Sequence, residues 1–159
     1  MDKDKLQEFA TRVSQANRSE LVVVIYEATL ASIVEGKKLL EKNEIAEARQ
    51  EIERAKGMIN ELMASLDMQY SVSHYLRQLY IYCYHELCHG VALRQPELFD
   101  HATDVLEGLL PSFREVAKQD DSKPVMKNVQ QIYAGLTYGR KSLNETIAVG
   151  VDMKRGYEA

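Results

Sequence analysis

Between Ile45 and Asp67 the apolar residues fall at Ile45, Ala48, Ile52, Ala55, Ile59, Leu62 and Leu66. The gaps alternate three and four, which places all of them on one face of a helix as a heptad seam. Glu47, Arg49, Gln50, Glu51, Glu53, Arg54 and Lys56 lie between them and form the solvated face. A lone helix cannot bury so long a seam, so the rest of the chain has to supply facing helices.

The flanking sequence does so. Leu6, Phe9, Ala10 and Val13 give Asp4–Val13 a short amphipathic pattern. Asn17, with Glu20 three residues on, forms a capping box that starts a helix over about Arg18–Lys42. That helix carries two stripes. Leu21, Ile25, Ala28, Ser32 and Leu39 make one; Val22, Tyr26, Thr29, Leu30 and Ile33 make the other. Two apolar faces suit either the centre of a bundle or the wall of a groove. Asn43 punctuates, and Ser71 or Ser73 is available to cap a third helix over about Val72–Leu93. Its expected seam is Val72, Leu76, Leu79, Cys83, Leu87 and Gly90, surrounded by Tyr75, Tyr80, Tyr82 and Tyr84. Tyrosine fits a half-exposed binding wall and fits the rim of a core equally well. Pro96 opens a fourth helix whose seam is Phe99, Ala102, Leu106, Leu109, Phe113 and Val116. Pro111 lies inside it and predicts a kink around Glu107–Pro111.

Lys118–Pro124 has linker composition. Val125, Val129, Ile132 and Leu136 then suggest one more short helix, and Gly135, Gly139, Gly150 and Gly156 loosen the tail around and beyond it. The expected fold is all-α: an antiparallel up-down four-helix bundle with an N-terminal amphipathic segment and a partly ordered C-terminal helical tail. The bundle is expected over residues 1–118, and a linker and tail over 119–159.

The net charge of −4, with no basic cluster beyond Lys37/Lys38 and Lys154/Arg155, argues against a nucleic-acid partner. No apolar run approaches the roughly 20 residues of a membrane span, and Met1–Glu8 lacks the apolar core of a signal peptide. Cys83 and Cys88, five apart in one helix, suit reduced thiols. Together these features predict a cytoplasmic protein without membrane insertion.

One stretch carries the residue types of a catalytic motif. His85-Glu86-Leu87-Cys88-His89 matches H-E-x-x-H, in which two histidines one turn apart hold zinc and the glutamate activates water. A third ligand would come from Glu97, Asp100, His101 or Glu107. Against this, His85 lies opposite Cys83 and Leu87 on the helix wheel, and His89 flanks the seam. A di-metal carboxylate site fails because Leu98 stands where a glutamate should precede His101. The expectation is therefore no enzyme, no catalytic residue, no metal and no cofactor. A small zinc-dependent hydrolase using His85, Glu86 and His89 is the alternative.

Several segments resemble the flagellin-specific export chaperones of the FliS type. Ala16-Asn17-Arg18-Ser19-Glu20-Leu21 resembles that family's helix start, and Ile25-Tyr26-Glu27-Ala28 its Leu-Tyr-Asp-Gly. Arg54-Ala55-Lys56-Gly57-Met58-Ile59-Asn60-Glu61-Leu62 with Ser65-Leu66-Asp67 is similar to its most specific stretch. Leu79-Tyr80-Ile81-Tyr82 and Val105-Leu106-Glu107-Gly108-Leu109-Leu110 follow in order. The resemblance covers about Phe9 to Lys118. The chain departs from the pattern at Arg18 (no proline), Met68–Tyr70 (no glycine pair), Pro111 and Ala117 (no aromatic), and Phe9 alone stands for an N-terminal tyrosine segment.

The resemblance implies a cytoplasmic helical bundle that binds the disordered C-terminal segment of flagellin. It also implies that the protein prevents premature polymerisation and engages a component of the export gate. From the apolar positions, the expected client groove is Val22, Tyr26, Leu30, Ile33, Tyr75 and Tyr82. Leu6, Phe9 and Val13 are the expected groove cover, and Val125, Val129, Ile132 and Tyr133 of the tail are a second candidate cover. Either a monomer or a homodimer is compatible with such a bundle.

Overall fold

A computed structural model describes residues 3–126 of this chain. Among them are five helices and no strand: α1 (Lys3–Gln15), α2 (Arg18–Glu41), α3 (Ile45–Ala64), α4 (Ser71–Leu93) and α5 (Leu98–Gln119). The expected short helix and the glycine-rich tail lie outside the described residues.

The α3 seam organises the packing as its spacing predicts. Ala48, Ile52, Ala55, Ile59 and Leu62 are buried, while Ile45 and Leu66 are half-buried at the ends. Helix α2 packs on α1, α3 and α5, and α4 packs on α3 and α5. Helices α2 and α5 run in opposite directions, because Glu27 meets Arg114 while Lys37 meets Asp100. On the α4–α5 seam, Cys83 Sγ approaches the Ala102 carbonyl and Gly90 faces the Phe99 ring. Between α3 and α4 the Lys56 ammonium sits 5.0 Å from the centre of the Tyr84 ring.

Two close approaches depend on glycine. A Cβ on Gly36 would stand 2.6 Å from Ile52 Cδ1, and one on Gly90 would run into the edge of the Phe99 ring. At both points a larger residue would force the facing side chain to move, the Phe99 ring having less freedom to do so than the end of Ile52.

The capping box forms as read. Asn17 Oδ1 accepts from the Glu20 N–H at 2.8 Å, and Glu20 Oε2 accepts from the Asn17 N–H at 2.9 Å. Neither Ser71 nor Ser73 caps α4; Tyr70 holds that position without a side-chain bond. Pro96 lies in the turn before α5, and α5 continues through Pro111 to Gln119.

Helices α2 and α4 both end in a left-handed residue. At Asn43 (φ 63°) the Glu44 N–H bonds the Leu39 carbonyl, and at Arg94 (φ 55°) the Gln95 N–H bonds the Gly90 carbonyl. Each is a Schellman closure, which favours glycine at the left-handed position and tolerates asparagine better than arginine. Arg94→Gly should therefore raise stability by about 1 kcal/mol. Thermal unfolding should show a melting temperature about 4 °C higher. An unchanged or lower value would mean that the Arg94 side chain contributes more than the backbone strain costs.

Residues 120–125, read from composition as linker, bind back onto the corner between α1 and α2. The Asn17 Nδ2 donates to the Asp120 carbonyl at 2.8 Å, Ser19 Oγ donates to the Asp120 carboxylate, and the Val125 N–H reaches the Ala16 carbonyl at 3.1 Å. Hydrogen bonds from Ser122 and from Ser19 hold the Asp120 carboxyl down at about 2.

Candidate binding surfaces

The six residues expected to line a groove separate in the structure. Tyr26 and Ile33 are fully buried and belong to the core, which corrects their reading as walls of an open groove. The reason is that α2 is central: α3 covers one side of it and α5 another, so both stripes are used in packing. The Tyr26 hydroxyl meets the Tyr80 hydroxyl at 2.6 Å, and its ring lies 5.0 Å from that of Phe113. Burial first, then the neighbouring Tyr80 hydroxyl, pushes the Tyr26 phenol far above its ordinary pKa. Tyr80 thus takes a core position, and Val72, expected in the seam, is exposed. Val22 is half-buried against the core.

Tyr75 and Tyr82 are on the surface, 69% and 44% exposed. With exposed Val72 and half-buried Leu79 they form one row along α4. Glu86 continues that row and pairs with His101 Nδ1 of α5, so the row faces α5. On α5, Val105, Leu109 and exposed Val116 lie on the same side as His101. The result is a band of apolar side chains along the outer α4–α5 seam.

Leu30 sits elsewhere, in a groove between α2 and α5. It lines a hollow of about 370 Å³ with Leu110, Pro111, Glu27, Glu107 and Arg114. A second hollow of about 510 Å³ lies on the other side of Arg114, floored by Ala16, Val23, Val24 and Ala117 and rimmed by Arg12, Arg114, Lys118 and Glu20. The ridge between the two is an ion triad. Glu27 receives Arg12 of α1 at 2.6 Å and Arg114 of α5 at 2.8 Å. Burial acts to raise the Glu27 pKa, but hydrogen bonds from Arg114 and Arg12 outweigh it and the carboxyl is lowered.

Of the expected cover, Leu6 is exposed, while Phe9 and Val13 are half-buried. They belong to α1, which packs on α2. The Arg12 guanidinium lies 5.9 Å from the centre of the Phe9 ring.

Sequence reasoning missed the second hollow. Its floor comes from small side chains on different elements, and the one available signal was Ala117, where the resemblance leads one to expect an aromatic. A ring at that position would occupy the space.

The H-E-x-x-H residues do not assemble a metal centre. His85 and His89 are exposed with ring centres 6.4 Å apart, and Glu86 is engaged by His101. Among the described residues no group of three His, Cys, Asp or Glu side chains is placed to hold a metal ion. Cys83 and Cys88 are free thiols; burial pushes the Cys83 thiol up to about 12. No helix among the described residues is long and apolar enough to cross a membrane.

The described residues thus form a helical bundle with an apolar band on its α4–α5 face and two hollows beside α2. The comparison with known families is specific. The family model described as "Flagellar protein FliS" matches residues 2–120, and the chain belongs to that family. It is a family of flagellar export chaperones. No curated protein matches the chain.

Proposed function

We propose that this protein is a cytoplasmic, non-enzymatic secretion chaperone whose client is the C-terminal segment of flagellin. On this reading it prevents premature polymerisation and delivers its client to a component of the type III export gate. Family membership over residues 2–120 is the observation that carries this reading. The physics supports it. A disordered amphipathic segment folds as it binds and uses apolar faces that a monomeric protein otherwise leaves wet. The bundle that presents those faces is taken as an antiparallel up-down arrangement of α2 to α5, with residues 1–118 as the chaperone domain and 119–159 as an appended segment.

The client-binding face is revised from the structure. Tyr75 and Tyr82, with Val72 and Leu79, form its main wall, and Leu30 contributes from the α2–α5 groove. Tyr26, Ile33 and Val22 support these walls from behind. Leu6, Phe9 and Val13 of α1 act as a displaceable cover.

Calorimetric titration of the full chain with a synthetic peptide of the cognate flagellin C-terminal segment tests the reading. Binding near one-to-one with a negative heat-capacity change is expected. Tyr75→Ala/Tyr82→Ala should weaken it by at least tenfold without lowering the melting temperature, because both side chains are exposed. Absence of binding to the cognate peptide overturns the flagellin assignment. Unchanged affinity in the double variant removes the α4 wall.

A further inference from the structure

Helix α5 changes character at Pro111. Its buried residues, Phe99, Ala102, Leu106 and Leu110, all lie on the N-terminal side of that proline. From Ser112 to Gln119 no residue is buried, and only Phe113 and Ala117 are half-buried. The two hollows lie against the same stretch. Leu110, Pro111 and Arg114 line one, and Arg114, Ala117 and Lys118 line the other. The last two turns of α5 therefore rest on α2 with a hollow on either side of Arg114, and little of their surface is packed.

The backbone is weakened at the same place. Pro111 has no N–H to donate, so the Glu107 carbonyl lacks its partner within α5. Gly108 is a second weak point, because glycine regains more freedom than any other residue when a helix opens. Packing does not require a glycine there: nothing outside its own stretch of helix lies within 4 Å of the place its Cβ would take. The contacts that hold the segment beyond Pro111 are few. The Phe113 ring lies 5.0 Å from that of Tyr26, and Arg114 meets Glu27 at 2.8 Å. Past the helix, Asp120 is tied to Asn17 and Ser19, and the Val125 N–H to the Ala16 carbonyl. Few buried contacts, a missing backbone bond and adjoining hollows together mark a segment that opens more easily than the bundle unfolds.

We propose that residues 112–125 form a flap, hinged at Gly108–Pro111, that opens and closes as one unit while α2, α3, α4 and the first half of α5 stay folded. Closed, it is latched by the Arg114–Glu27 pair, the Phe113–Tyr26 contact and the Asp120 ties. Open, it removes Arg114, the ridge between the two hollows, and joins them. It also uncovers Val23, Val24 and one side of the Tyr26 ring, which the closed bundle keeps buried. The hinge thus controls access to an apolar stretch of α2. This motion belongs to the chain alone and does not depend on which client it carries.

Amide hydrogen exchange of the full chain, read residue by residue by NMR, tests it. The amides from Phe113 to Gln119 and that of Val125 should share one protection factor, about tenfold or more below those of Ala102 to Leu106. Two variants separate local opening from global unfolding. Ile59→Val lies on α3, outside the flap, and trims a fully buried side chain without emptying its place. It should lower protection at Ala102 to Leu106 roughly fivefold and leave the flap amides unchanged. Pro111→Ala restores the backbone donor and should raise flap protection about tenfold or more.

Flap amides that match Ala102 to Leu106 and fall with them in Ile59→Val would mean that the segment opens only with the whole bundle, which overturns the hinge. Protection that declines gradually from Phe113 to Gln119, with Val125 following its own rate, would be fraying of a helix end and overturns the single unit. Either result leaves the flagellin reading standing.

Discussion

Tyr26→Ala should cost the bundle about 5 kcal/mol, close to its whole stability if that is ordinary for its size. Two effects add. Removing a fully buried ring takes contacts from both α4 and α5, since Tyr26 touches Tyr80 and Phe113. Removing its hydroxyl leaves the Tyr80 hydroxyl, equally buried, without the bond at 2.6 Å. Denaturant titration followed by circular dichroism would show the midpoint collapse or the helical signal lost outright. The hydroxyl part separates cleanly. Tyr26→Phe should cost about 2 kcal/mol by orphaning Tyr80, and adding Tyr80→Phe should cost little more or recover part of it. A coupling near 1 to 2 kcal/mol in the double-mutant cycle is expected. Strict additivity would mean the two hydroxyls do not share a bond. The practical consequence is that Tyr26 cannot serve as a probe of client binding, because its loss acts on the fold first.

The opposite sign is expected at Pro111. Helix α5 runs from Leu98 to Gln119 with a proline well inside it. The missing N–H and the clash of the ring with the preceding turn cost about 3 kcal/mol in an ordinary helix interior. Pro111→Ala restores the donor to the Glu107 carbonyl, and Pro111 is exposed, so little packing is lost. A gain of about 2 kcal/mol follows, or a melting temperature higher by about 8 °C. The same change should weaken client binding to the extent that the Leu30 hollow takes part in it, because the ring lines that hollow. Stability up with peptide affinity down would fit a proline whose stability cost serves binding. Stability down would show that the ring's contacts outweigh the restored bond.

How much of this was legible depended on the range over which each signal acts. The α3 seam and the Asn17–Glu20 box are local patterns, and both appear as read. The all-helical class follows from the same periodicity. The two stripes of α2 were visible, but which lay outside was not. That depends on how many neighbours the helix has, and a single amphipathic pattern does not carry the count. Tyr80 reads from the sequence as either a binding wall or the rim of a core, because tyrosine suits both. Its partner hydroxyl lies 54 residues earlier, and no local rule pairs them. Val72 falls in the expected seam but is exposed, because the buried line of α4 runs through Ser73, Tyr80, Cys83, Leu87 and Gly90 and leaves Val72 in the outer row. The 510 Å³ hollow was hidden for a related reason. Lys118, Arg12 and Arg114 are scattered in sequence and meet only when α1 and α5 flank α2. Of the expected groove, Tyr75, Tyr82 and Leu30 are surface or hollow-lining residues, while Tyr26 and Ile33 are core.

The ties from Asp120 to Asn17 and Ser19, and from Val125 to Ala16, join positions more than 100 residues apart. During synthesis from the N-terminus, a chain released before residue 120 holds all the apolar seams of α2 to α4 and most of α5. The corner where α1 turns into α2 is then held only by the Asn17–Glu20 box and the Arg12–Glu27 pair. Closure of that corner is the last native event available to a growing chain, because its partners are made last. A ribosome-bound nascent chain ending before Asp120 should therefore expose α1 to proteolysis at the Ala16–Asn17 junction. One extended past Val125 should resist it, so competence to hold a closed first helix arrives only as the final turns of the bundle are translated.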